Sequence, residues 1–129
     1  MQQDEAEEEF QLIRDRLLGS AELLELADLS REPNGDLVVS PRKSGADGFV
    51  VRFKGYVELH SRLGYMHDFY MIGGCPDIET FAERVVQTVI RLLKGSLVYI
   101  YDDVGGGGIV EVEELEDWVG RGHKSLFFA

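Results

Sequence analysis

The 129-residue sequence contains one cysteine, three prolines and no long run of apolar residues. The single cysteine, Cys75, excludes an intramolecular disulfide and suits a reducing compartment. No apolar run approaches the roughly 20 residues that a membrane-spanning helix requires. The N-terminal MQQDEAEEEF also places acids where a signal peptide would carry a basic and then an apolar region. We therefore expect a cytoplasmic protein without a membrane partner.

Basic residues are scarce as well, because 13 Lys and Arg face 24 Asp and Glu for a formal net charge of −11. Nucleic acid is therefore excluded as a direct ligand, since phosphate binding depends on clustered bases. An acidic protein instead favours a basic protein partner and accelerates its encounter with it. The alternative is that the acids only keep the protein soluble. Five of the bases fall in the short segment 37–62, namely Arg42, Lys43, Arg52, Lys54 and Arg62.

The apolar spacing predicts helices and a turn in a single domain that spans residues 1–129. An apolar stripe predicts a helix over 4–18, and Gly19-Ser20 either ends it or, with Ser20 as a cap, begins a second short helix through Ala27. The sequence Pro33-Asn34-Gly35-Asp36 predicts a turn, because Pro presets φ and Asn-Gly tolerates positive φ. Helical spacing from Ile78 to Leu93 predicts a long helix, with start signals at Pro76-Asp77 and a stop at Lys94-Gly95. Residues 113–120 form a short amphipathic helix in this interpretation.

Alternating apolar residues predict the strands. The clearest alternation runs from Phe49 to Leu59 and predicts one long strand with a bulge or bend at Gly55. Further strands are expected at 37–39, 65–72, 97–101 and 109–112. The resulting fold class is α+β, with a mainly antiparallel sheet of about five strands. One long helix packs across this sheet, and shorter helices lie near both termini.

Four consecutive glycines, 105–108, follow Asp102 and Asp103. A phosphate-binding loop would need a helix directly after the glycines, and a calcium loop would need acids at alternate positions. Neither pattern is present, and no other motif predicts a cofactor. Gly-Gly between two β-segments favours a hairpin. With Gly105-Gly106 as its turn, Tyr101 faces Val110 and Tyr99 faces Val112.

Two histidines and the cysteine are the remaining candidates for chemistry. A two-residue turn at Leu63-Gly64 would place His60 directly opposite His67, and the pair could share a metal with Cys75, Glu58 or Asp68 as a third ligand. A pair of surface histidines is the interpretation we favour, so we predict no metal site. Cys75 precedes a predicted helix, which would favour its thiolate. The sequence, however, does not place a general base beside this thiol. We therefore predict no enzymatic activity and leave the roles of the three residues open.

The C-terminal third contains the candidate partner-binding site. Seven acids fall between residues 102 and 117 with no base among them, and the only tryptophan lies at their edge. An aromatic anchor ringed by acids is typical of a contact surface for a basic protein, although the tryptophan could instead pack into the domain. The final LFFA (126–129) either docks on the domain or joins a second chain. The predicted site consists of Asp102, Asp103, Glu111, Glu113, Glu114, Glu116, Asp117 and Trp118.

The segment RLLKGSLVYIYDDVGGGGIVEVEEL (91–115), a helix that leads into an acidic hairpin, resembles segments of small acidic bacterial immunity proteins. The size and charge of the chain are similar as well. The resemblance implies a non-enzymatic module that plugs the active site of a basic toxin. The order of helices and strands also resembles type III secretion chaperones, which implies a homodimer built on the long helix and the last hairpin. A small Cys- or metal-dependent enzyme is the third alternative.

Overall fold

The computed structural model of the chain describes residues 2–43, 45–54, 56–69, 77–104 and 106–129, without the side chains of residues 2–6. No helix within these ranges is long and apolar enough to cross a membrane. The helices are α1 (Gln2–Leu18), α2 (Ala21–Leu26), α3 (Ile78–Lys94) and α4 (Leu115–Gly120), and a 3₁₀ turn (Val112–Glu114) precedes α4. The strands are β1 (Ala27–Arg31), β2 (Leu37–Pro41), β3 (Phe49–Lys54), β4 (Tyr56–Ser61), β5 (Gly64–Phe69), β6 (Leu97–Tyr101), β7 (Gly107–Glu111) and β8 (Lys124–Leu126).

The long helix α3 is the element that the sequence predicts best. Its start is fixed by Asp77, whose carboxylate accepts a hydrogen bond from the backbone N–H of Thr80 at 2.7 Å. Its end is fixed by Gly95, which adopts the left-handed conformation with φ 81°. The apolar positions from Phe81 to Leu93 are buried, as predicted, while Ile78 packs against the core from its edge. Pro76, the other predicted start signal, lies outside the described residues.

The α+β fold class is confirmed. Strands β1 to β5 form one antiparallel sheet in sequence order, and α3 packs on it, with the Phe69 and Phe81 rings 6.4 Å apart. Strands β7, β6 and β8 form a second antiparallel sheet. Strands β1 and β8 are not predicted from the sequence, and the prediction places β6 and β7 in the single sheet. The second sheet is therefore a finding of the structure.

The predicted long strand from Phe49 to Leu59 is wrong, because this segment forms the hairpin β3–β4. Phe53 pairs with Val57 and Val51 pairs with Leu59, all four facing the core. Residues that face each other across a tight hairpin lie on the same side of the sheet, and here their numbers differ by an even count. The alternation therefore continues through the turn without a break. Gly55, predicted as a bulge, lies outside the described residues.

A buried arginine joins α1 to the predicted turn at 33–36. Arg14 is only 2% exposed, its Nε donates to the carbonyl oxygen of Gly35 at 2.7 Å, and its guanidinium lies 4.6 Å from the centre of the Phe53 ring. The turn is confirmed, and Gly35 has φ 94°. A Cβ at Gly35 would lie 2.6 Å from Nη2 of Arg14, so the close approach of the guanidinium requires glycine.

The C-terminal LFFA docks on the domain, which was one of its two predicted fates. Leu126 and Phe128 are buried, and the Phe128 ring lies 5.0 Å from that of Phe49 in β3. Phe127 points outward and is 39% exposed. The chain end therefore fills part of the core between the two sheets.

Candidate functional site

The glycine run lies at the predicted hairpin, between β6 and β7, but the predicted register is wrong. Tyr101 pairs with Gly107 and Tyr99 pairs with Ile109, whereas the sequence placed them opposite Val110 and Val112. The last two glycines therefore belong to strand β7 and not to the turn. Residue 105, half of the predicted turn, lies outside the described residues.

Steric contact at Gly107 explains this register. A Cβ at position 107 would lie 2.3 Å from the carbonyl oxygen of Ile100, closer than any side chain tolerates. The two strands approach each other at this point because no side chain stands between them. The glycines are thus needed for strand packing as well as for the turn. Sequence rules for turns take only the second role into account.

Asp102 directs its carboxylate into the hairpin loop. Its Oδ1 accepts hydrogen bonds from the backbone N–H groups of Val104 at 3.1 Å and Gly106 at 2.8 Å. The backbone N–H of Asp102 in turn donates to the carbonyl oxygen of Gly106 at 2.9 Å. Such a loop, closed on a side-chain acceptor, is a common turn device. Asp102 is therefore a structural residue of the loop, with part of its charge satisfied there.

Three further acids of the predicted site form ion pairs with bases outside the window 102–117, two of them with bases distant in sequence and one with a base four residues further along. Asp103 pairs with Lys124 at 3.1 Å, Asp117 pairs with Arg121 at 2.9 Å, and Glu111 pairs with Arg91 of α3. The hydrogen bond with Asp103 raises the pKa of Lys124, and the charge of Asp103 adds to this rise. The sequence window 102–117 contains no base, but the fold supplies bases from both sides of it.

Three acids of the predicted site remain without such a base. Glu113, Glu114 and Glu116 are exposed, and none of them makes an ion pair or a side-chain hydrogen bond with any residue that the structure describes. They lie in one stretch, on the 3₁₀ turn and the first turn of α4. We call them, together with Trp118 and the half-exposed Val119, the α4 acidic surface. A depression of about 520 Å³ opens on it, lined by Glu113, Glu116, Asp117, Gly120 and Arg121.

Trp118 is half-buried, so it can both pack on its own domain and contribute to a contact surface, the two alternatives drawn from the sequence. Helix α4 lies against β6 and β8, where Val98 and Ile100 are buried outside the main core. The indole ring contacts the imidazole of His123 edge-to-face at 5.0 Å, and the guanidinium of Arg121 lies 5.3 Å from its centre. The residue therefore packs on its own domain while part of its surface faces solvent beside the unpaired glutamates.

The predicted opposition of His60 and His67 is wrong. A shift of register between Leu59 and His60 pairs His60 with Tyr65 and pairs Leu59 with His67, because the turn falls one residue earlier than predicted, with Ser61 opposite Gly64. His60 Nε2 instead lies 2.9 Å from Oε1 of Glu58.

His67 packs edge-to-face on Phe69 at 4.7 Å, and burial lowers its pKa below 6.5. Within the described ranges no group of three potential ligands could hold a metal ion. Cys75 lies outside those ranges.

The basic segment 37–62 surrounds a depression that the sequence does not predict. It measures about 750 Å³ and lies on the open face of the five-stranded sheet, with Val38 and Val50 in its lining. Its two guanidinium groups are paired, however: Arg52 Nε lies 3.4 Å from Asp36, and Arg62 Nε lies 3.2 Å from Asp47. Lining acids and paired bases leave the depression without a dominant sign of charge.

Comparison with known proteins gives no relative from which residue roles could be transferred. No family model matches the chain, and neither does any curated protein or solved structure. The functional argument therefore depends on the contacts of the chain itself.

Proposed function

We propose that this chain is a non-enzymatic protein-binding module that neutralises a basic protein through the α4 acidic surface, in the manner of an immunity protein. The observation that carries the proposal is the contrast between paired and unpaired acids. Asp102, Asp103, Glu111 and Asp117 are engaged within the chain, whereas Glu113, Glu114 and Glu116 present their charges to solvent.

The composition of this surface supports a basic partner with an apolar contact. Unpaired carboxylates attract Lys and Arg side chains, and the net charge of −11 steers a basic protein from a distance. Trp118 and Val119, which is 50% exposed, supply the apolar area that stable contacts need at their centre. Charge and apolar area together fit a protein surface better than a small ligand.

A chaperone-type homodimer built on the long helix receives less support. The outward face of α3 is polar, with Glu79, Thr80, Glu83, Arg84 and Gln87 exposed. Lasting dimers generally bury an apolar surface, which this face does not offer a second chain. We therefore rank this alternative second.

The partner is identified by photo-crosslinking in the cells that encode the chain. A photoreactive amino acid replaces the exposed Val119, and a matched protein carries it at the exposed Glu9 of α1. We expect a basic protein to crosslink from position 119 and not from position 9. An acidic captured protein, or equal capture from both positions, would contradict the proposal.

Binding kinetics with the captured protein then test the charges. Glu113→Lys with Glu116→Lys and the control Glu8→Lys with Glu9→Lys each change the formal net charge from −11 to −7, because each substitution adds two charges. We expect only the first pair to slow association markedly and to weaken its salt dependence. Equal effects of both pairs would show that net charge alone matters.

Trp118→Ala separates an apolar anchor from a purely structural role. We expect faster dissociation at nearly unchanged association, because removing a contact acts after the encounter. Its own packing predicts a loss of stability of about 1–3 kcal/mol, less than for a fully buried aromatic. Unchanged dissociation with this loss of stability would assign Trp118 to folding alone.

A further inference from the structure

His123 lies where the hairpin loop, α4 and β8 meet. Its Nδ1 is buried and makes no hydrogen bond with any residue that the structure describes. Its Nε2 lies 3.8 Å from Oδ2 of Asp102, beyond hydrogen-bond distance. The backbone N–H of His123 donates to the carbonyl oxygen of Trp118 at 3.1 Å, and the two rings touch edge-to-face.

The charges around this histidine leave one carboxylate as its counter-ion. The charged groups on the hairpin loop, β8 and α4 are Asp102, Asp103, Lys124, Glu116, Asp117 and Arg121. Asp103 pairs with Lys124, and Asp117 pairs with Arg121. Among the described residues, Asp102 is the carboxylate whose oxygen approaches the imidazole, at 3.8 Å, and its Oδ2 makes no hydrogen bond with a described residue.

We propose that His123 is a pH-sensitive link between the hairpin loop and Trp118. Imidazole side chains generally change charge between about pH 5 and 8. A proton on His123 turns the 3.8 Å approach to Asp102 into a charged hydrogen bond and draws the ring toward the loop. It also gives Nδ1 a proton that has no acceptor, which is costly for a buried group. The ring must therefore reorient, and its contact with Trp118 changes.

A movement of His123 affects both residues that it connects, Asp102 and Trp118. Asp102 already holds the loop through its bonds to Val104 and Gly106, so a pull on its carboxylate reaches the loop backbone. Trp118 belongs to the α4 acidic surface, so acidification would also alter the contact surface itself. That second consequence rests on the proposed function, whereas the movement of His123 does not.

Trp118 makes the movement measurable without any partner. It is the only tryptophan, so emission excited at the red edge of the absorption band, where the five tyrosines do not absorb, reports on this place alone. We expect this emission to change in the wild-type protein when the pH is lowered from about 8 to about 5. His123→Gln should abolish this transition, while the double control His60→Gln with His67→Gln should retain it.

Asp102→Asn provides the second test, because an amide oxygen can still accept the loop hydrogen bonds but carries no charge. We expect the Gly106 amide of this variant to lose its response to pH, because no charge then links the imidazole to the carboxylate that holds the loop. NMR titration of the wild type guards against a variant that fails to fold, since the His123 imidazole and the Gly106 amide should share one midpoint. Emission that stays flat, a transition that survives in His123→Gln, or a Gly106 amide that still responds to pH in Asp102→Asn would overturn the proposal. These measurements need no partner, so a failure of the partner-binding experiments would not affect this test.

Discussion

Replacing adjacent glycines of the hairpin by alanine separates the packing role of this run from its turn role. At Gly107 the new Cβ would lie 2.3 Å from the carbonyl oxygen of Ile100 and 3.0 Å from the Cα of Tyr101. Both are backbone atoms that cannot swing aside, so β6 and β7 must separate at this point. At Gly108, the next residue, a Cβ meets no atom within 4 Å.

The contacts set the expected magnitudes. For Gly107→Ala, overpacking costs about 1–3 kcal/mol, and a weakened hydrogen bond between the strands adds about 1 kcal/mol. The sum of about 2–4 kcal/mol corresponds to a fall in Tm of roughly 6–15 °C for a chain of this size. Gly108→Ala meets no clash and restricts the unfolded chain, so it should leave stability unchanged or raise it by up to about 1 kcal/mol. Gly106→Ala should fall between them, because its Cβ meets only the Asp102 carboxylate, at 2.9 Å, and a side chain can rotate away.

Urea denaturation followed by far-ultraviolet circular dichroism measures all three variants against the wild type. The expected order of stability is Gly108→Ala first, Gly106→Ala second and Gly107→Ala last. If Gly107→Ala proved as stable as Gly108→Ala, the close approach of the two strands would not exist and the register of β6 and β7 would be different. Equal losses at all three positions would instead indicate a general need for chain flexibility.

Four further substitutions test other parts of the fold by the same denaturation assay. Phe128→Ala should cost about 3–5 kcal/mol, as for other buried aromatics, and Phe127→Ala about 1 kcal/mol or less, which would confirm how the C-terminal segment docks. Arg14→Met should lower the free energy of unfolding by about 2 kcal/mol or more, because the carbonyl oxygen of Gly35 loses a charged donor. An unchanged unfolding midpoint would contradict a stabilising role of this hydrogen bond. Burial, assisted by the charge of Arg84 and opposed by Asp68, lowers the pKa of His67, so the unfolded chain binds this proton more tightly and stability falls as the pH drops below 6.5. His67→Gln should flatten this dependence between about pH 5 and 7.5, and an equally steep profile would assign it to other groups.

The parts of the fold that the sequence predicts are those determined by neighbouring residues. The apolar stripe of α3, its cap at Asp77 and the turn around Gly35 each depend on fewer than twenty consecutive residues. Strand β1 escaped prediction because its sequence, ADLSR, offers only Ala27 and Leu29 to the core. The β3–β4 hairpin escaped because even spacing across a turn preserves the alternation of a single strand.

In the candidate site, too, local features are predicted from the sequence and long-range contacts are not. The sequence identifies the acids and Trp118, and the spacing of Asp117 and Arg121 indicates a local pair. It cannot show that Glu111 and Asp103 are paired. Arg91 reaches Glu111 across 20 positions, and Lys124 reaches Asp103 across 21. Such pairs form only after the elements have packed, so the reduction of the site to its unpaired members required the structure.

The order of the strands also has a consequence for folding kinetics. Each strand of the larger sheet pairs with its neighbour in the chain, from β1 through β5, so every pairing in it closes a short loop. Closing a short loop costs little entropy. Proteins in which contacts between residues close in sequence dominate therefore fold faster than most β proteins. The slow events should be the long-range ones: the packing of α1 and α2 on α3 and the arrival of Phe128 at Phe49. Substitutions within the meander should then mainly accelerate unfolding, whereas changes at these two docking points should retard folding itself.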